Sequence, residues 1–117
     1  MLSGKNLIKG FEGVPLILGA VREKRKYDKD GNATDIVEAV RLSALTQEMG
    51  SIAIDLFPFS EEKLERCKKN FGVQFTVSDL IGVENCRIYC YDKDVRVSIT
   101  AADLQLQHDP WNEVNAL

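Results

Sequence analysis

The sequence predicts a mainly β domain with one helix, a five- to six-stranded antiparallel barrel in which the helix lies between strands 3 and 4. Three observations carry this. Period-two apolar patterning recurs in several short runs, as in "SIAIDLF" (51–57), where Ile52, Ile54 and Leu56 share one side. Dense turn-forming clusters separate those runs, above all "DKDGNATD" (28–35). A single segment, 60–72, has helical spacing and helical caps at both ends.

Residues 1–13 read as an irregular lead-in with Gly4, Gly10 and Gly13, and 14–107 as the barrel domain. "VPLILGAVREKRKY" (14–27) begins apolar and ends basic, as a strand does when it leaves a core and projects into solvent. Asp30-Gly31 is a strong hairpin signal, and "IVEAVRLSAL" (36–45) returns from that tip. Asp28, Asp30 and Asn32 alternate as calcium ligands do. A calcium loop needs its glycine sixth and a glutamate twelfth, whereas glycine here comes fourth, so the turn is preferred. "TQEMG" (46–50) turns the chain into the third strand, and Pro58, which cannot donate to a ladder, ends it.

Ser60 is the expected N-cap of the helix, with Glu61 and Glu62 at its positive end and Lys68 and Lys69 at its negative end. Leu64, Cys67 and Phe71 form its apolar stripe, and Gly72 closes it. Residues 73–85 are expected to be extended, with a bend near Ser78-Asp79 or Gly82. "CRIYCY" and "VRVSITA" then flank the turn "DKD", "ADLQLQ" ends the regular part, and 108–117 is a tail. Three strands, a helix and a closing hairpin is the order of the oligonucleotide/oligosaccharide-binding barrel, the OB-fold.

Composition narrows the function. At 117 residues and a net charge of −3, the chain has room for one core and no bulk attraction for nucleic acid. No apolar run is long enough to cross a bilayer and no signal peptide is evident, so no membrane is implied and a cytoplasmic setting is expected. Three cysteines, Cys67, Cys86 and Cys90, with one histidine, His108, in the tail, match neither a zinc site nor a disulfide framework. No phosphate loop, nucleophile elbow or zinc-protease helix occurs. No catalytic residue, metal or cofactor is therefore assigned, and a non-enzyme is expected.

Charge is unevenly spread. "REKRKYDK" (22–29) holds five basic and two acidic residues, a local +3 that leaves −6 elsewhere. The cations and the aromatic of this arm, Arg22, Lys24, Arg25, Lys26 and Tyr27, are the mixture expected of a strand-gripping ribbon. A solvated hairpin tip would look the same. In the late hairpin, alternation sets Cys86, Ile88 and Cys90 with Val95, Val97, Ile99 and Ala101 on an apolar side. Arg87, Tyr89 and Tyr91 share the other side with Arg96, Ser98 and Thr100. Bases stack on tyrosine and phosphate pairs with arginine, although tyrosine is also simply a good strand former. Arg41 on the second strand extends the positive track. In an OB barrel these segments bracket the face where ligand lies.

"REKRKYDKDGNATD" after a first strand, a compact middle pair and the late "GVENCRIYCYDKDVRVSITAADL" together resemble the small OB-fold proteins of conjugative transposons and phages, including helicase-processivity factors of integrative conjugative elements. The resemblance spans most of 14–107 as a pattern of elements, and the acidic total departs from it. It implies single-stranded DNA (or RNA) binding as an accessory replication or transfer protein beside a helicase, relaxase or other replication protein, and is compatible with a homo-oligomer. The rival expectation is a protein-interaction module without direct nucleic-acid binding, using the same Tyr/Arg face with "LFPF" (56–59) and Trp111.

Overall fold

A computed structural model describes residues 13–47, 50–91 and 94–106, apart from the side chains at 89–91, 94 and 95. His108 and Trp111 lie outside the described residues, as do Asp92 and Lys93 of the late turn. The described strands are β1 (Leu16–Tyr27), β2 (Ala33–Thr46), β3 (Gly50–Leu56), β4 (Gln74–Phe75), β5 (Leu80–Ile81), β6 (Asn85–Tyr91), β7 (Asp94–Ala101) and β8 (Asp103–Leu104). Among the described residues one α-helix, α1 (Glu61–Lys69), lies between β3 and β4.

Six strands form one curled sheet in the order β4-β1-β2-β3-β7-β6, an OB-like half-barrel, while β5 and β8 pair separately. The expected class therefore holds, with one change of detail. The sheet is mixed, because β3 and β7 run parallel, Ile54 beside Ile99 and Leu56 beside Ala101. The helical connection makes this possible: a hairpin turn can only reverse the chain, whereas a crossover returns it in the same sense.

Alternation fills the interior. Leu42, Ile54, Ile99 and Cys86 are successive ladder partners across β2, β3, β7 and β6, and all are buried. Val40, Leu56 and Ala101 form a second buried row, Ala44 and Ile52 a third. Gly19 sits where β1 shifts register against β2. A Cβ there would lie 3.0 Å from the Ser43 carbonyl oxygen, so glycine lets the two backbones close up.

Helix α1 starts as its sequence dictates: Ser60 Oγ accepts the Lys63 N–H at 3.0 Å. Leu64 and Cys67 pack into the core, but Phe71 is 72% exposed. The helix stops at Lys69 with Asn70 as its C-cap, so Phe71 has left the helical stripe. Lys63 Nζ donates to the carbonyls of Pro58 at 2.6 Å and Ala102 at 2.9 Å, fixing the helix over the end where β3 and β7 finish. Arg66 pairs with Asp103 in the same region. The segment after the helix is more broken than expected: β4, a 3-10 turn at Val77–Asp79 and β5 replace one extended run. Asp79 accepts the Thr76 N–H at 2.9 Å and so ends the strand there.

The two sides of the sheet should respond very differently to truncation. Ile54→Ala, in a fully buried row, is expected to cost about 2–5 kcal/mol of stability, and Ser51→Ala on the exposed side under about 0.5 kcal/mol. Urea unfolding followed by circular dichroism measures both.

Candidate nucleic-acid interface

Residues facing outward from the sheet fall into rows that cross four or five strands. In the first, Arg22, Arg41, Asp55, Thr100 and Asn85 are successive partners from β1 to β6. In the second, Ser43, Ala53, Ser98 and Arg87 follow one another from β2 to β6. The third begins Ile17, Leu45, Ser51, and Tyr89 stands opposite Arg96 at the other margin of the sheet. The middle of this face is thus built of serine and alanine, low enough for a flat ligand to approach the backbone. Ser43 and Ser51 share a hydrogen bond of 2.7 Å between their hydroxyls.

The basic arm rises from one end of this face. Its tip is held by Asp28, whose Oδ1 accepts the N–H groups of Asp30 and Asn32, each at 2.9 Å. Gly31 takes φ 84°, the left-handed region that the turn requires. The Asp28 carboxylate is engaged with its own backbone. Among the described residues, no group of three or more His, Cys, Asp and Glu side chains converges as a metal site would.

The arm's cations are not equivalent. Lys24 pairs with Glu38 and lies 5.7 Å from the centroid of the Phe57 ring, so it braces the base of the arm. Arg25 stands between Glu23 at 3.8 Å and Asp35 at 4.0 Å. Arg41 is held by Asp55, Nε to Oδ1 at 2.7 Å and Nη2 to Oδ2 at 2.9 Å, a bidentate pair whose carboxylate is almost wholly buried. Arg22 and Lys26 are exposed and make no ion pair with described residues, and Tyr27 is 59% exposed.

At the opposite margin, Arg87 and Arg96 are exposed and likewise unpaired among the described residues. Backbone register puts Tyr89 on the same side as both, with Tyr91 opposite Asp94; the tyrosine side chains lie outside the described residues. Of the ten residues nominated from sequence, Arg22, Arg41, Arg87, Tyr89, Tyr91 and Arg96 thus have outward backbone register on one sheet face. Lys26 and Tyr27 belong to the arm beyond its edge, while Lys24, Arg25 and Arg41 already have acidic partners. The floor of Ser43, Ser51, Ala53 and Ser98 was not foreseen. Its signal was present for three of the four: Ser43, Ala53 and Ser98 each sit between two apolar neighbours, as in Leu42-Ser43-Ala44 and Val97-Ser98-Ile99.

The cysteines belong to the other side of the sheet. Cys67 and Cys86 are buried free thiols. Burial pushes the Cys67 thiol from about 9.0 up to about 11, and raises that of Cys86. Cys90 follows the same alternation, opposite Val95, but its side chain lies outside the described residues. Both described thiols pack within the hydrophobic core.

The described residues contain no helix long and apolar enough to cross a membrane. No protein-family model, curated protein or solved structure matches the chain.

Two measurements check this picture. Asp55→Asn should cost about 1–3 kcal/mol, because it removes charge-assisted hydrogen bonds from a pair that is largely out of water; denaturant unfolding reports it. Because the folded Cys67 thiol binds its proton more tightly than the unfolded one, its contribution to stability is complete below pH 9.0 and is lost as pH rises toward about 11. The stability gap between the native chain and Cys67→Ala should narrow over that interval.

Proposed function

We propose that the outer face of β2, β3, β7 and β6 binds single-stranded nucleic acid without catalysis. The observation that supports this best is a floor of Ser43, Ala53, Ser51 and Ser98 with exposed cations at both ends, Arg22 on β1 and Arg87 and Arg96 on the closing hairpin. Four strand spacings separate β1 from β6, about 19 Å along the sheet surface. That span suits a few nucleotides, the lower end of what one OB domain engages. Small side chains between cationic margins favour an unpaired strand, whose bases can lie on the sheet while its phosphates reach the arginines. The wide cylinder of a duplex fits a curled face poorly.

The reading includes a division of labour. Arg22, Arg87 and Arg96 meet phosphate; Tyr89 supplies a ring for stacking; Arg41 is positioned by Asp55 at the floor's edge. With a net charge of −3, affinity is weak and local, which suits a factor that acts next to a replication or transfer enzyme, DNA or RNA being its substrate. An accessory role in replication or conjugative transfer of a mobile element or phage rests on the resemblance of the sequence pattern. A protein-docking face is favoured by one feature, the exposed Ile17 (43%) and Leu45 (49%) beside the serine floor.

Fluorescence anisotropy with labelled oligo-dT separates the two. Binding is expected to weaken as salt rises, with each phosphate contact worth about −0.7 in the logarithmic slope. Arg87→Ala and Arg96→Ala should each flatten the slope by about that amount, and Tyr89→Ala should lose about 1–3 kcal/mol with the slope unchanged. Lys24→Ala should act on stability rather than on the slope. Absence of any binding at low salt sinks the nucleic-acid reading and leaves the docking face.

A further inference from the structure

Strand β6 is the last in the ladder: β7 lies on one side and no described strand lies on the other. Proteins blunt such an edge with proline, lysine, bulges or extreme shortness, because its free N–H and C=O groups recruit any extended backbone. β6 uses none of these. "NCRIYCY" is seven residues long, has Arg87 as its single charge, and keeps an unbroken register with β7 from Asn85 to Tyr91. Ile88 adds a second peculiarity. By register it belongs to the core side of the sheet, opposite Val97, yet it is 47% exposed while Val97 is 6% exposed. Among the described residues the edge thus presents unpaired backbone and a half-exposed isoleucine together.

We propose that a second copy of this chain pairs its own β6 antiparallel against this edge, about a two-fold axis through Ile88. Ile88 is the midpoint of Asn85–Tyr91, so this register alone pairs all seven residues of both strands. It sets Ile88 against Ile88 of the partner subunit and covers both. It also sets Arg87 against Tyr89 of the partner subunit, twice by symmetry, and so faces each cation with an aromatic residue. Centring one residue earlier would oppose arginine to arginine, which cross-strand electrostatics disfavours. Centring one later would carry pairing into the turn at 92–93 and leave the isoleucines apart. The assembly is closed and isologous, and it pairs the β6 edge of both protomers along its whole length. The outer faces of the two protomers would become one surface, with Arg87 and Arg96 of each near the axis. The dimer itself does not depend on what that surface binds.

Sedimentation velocity of the full chain across a wide concentration range, without nucleic acid, tests the proposal. A monomer–dimer equilibrium is expected. Ile88→Arg, which opposes two arginines at the axis, should be monomeric throughout with the circular dichroism spectrum of the native chain. Tyr89→Glu should tighten the dimer by about tenfold, since two opposite-charge pairs with Arg87 are created at once. A native chain that stays monomeric at every concentration overturns the proposal, as does a dimer that Ile88→Arg leaves intact. Weakening by Tyr89→Glu overturns the register.

Discussion

The parallel ladder between β3 and β7 is the contact on which the rest of this structure depends. β1 to β3 form one local meander and β6–β7 another, and each alone is a thin ribbon with half a core. When Ile54 meets Ile99 and Leu56 meets Ala101, the buried rows of the two ribbons become continuous and the sheet curls around them. The same ladder aligns Ala53 with Ser98 and Asp55 with Thr100 on the reverse side. Core and candidate site are two faces of a single alignment. A slip of one residue would exchange them, driving serine inward and isoleucine outward.

That alignment has an electrostatic consequence. Asp55 occurs in a strand otherwise apolar or small, and the ladder delivers it to Arg41, which clamps it with two hydrogen bonds. Lys24 and Glu38 make a comparable pair at the root of the arm. The protein therefore divides its cations into those that hold the framework and those left at the margins of the face. Counting charges along the chain treats both groups alike, whereas the fold does not.

Local features of the sequence were legible because their causes are local. The Asp-Gly turn, the serine cap and the alternation in 51–57 each involve neighbours in the chain, and all appear in the structure. The helix end was misjudged for a related reason: Phe71 has stripe spacing, but the Asn70 cap intervenes. What stayed hidden is nonlocal. Nothing in "SIAIDLF" announces a parallel neighbour more than forty residues later, and nothing in Ser43, Ala53 or Ser98 singly announces a floor. The acids that neutralise Lys24 and Arg41 each lie fourteen residues away, in another strand. Only pairing brings them within reach.

The unequal strand lengths carry a last implication. β1 and β2 have twelve and fourteen residues against seven and eight in β3 and β7, so the surplus projects past the core as a cantilever rooted at Lys24, Glu38 and Phe57. Because almost nothing beyond that root is shared with the interior, the ribbon is a module of adjustable size. Residues added or removed in matched pairs would alter its reach by about 3.3 Å per step while leaving the hydrophobic rows untouched. Changing its length is a route by which such a scaffold acquires new reach without being refolded.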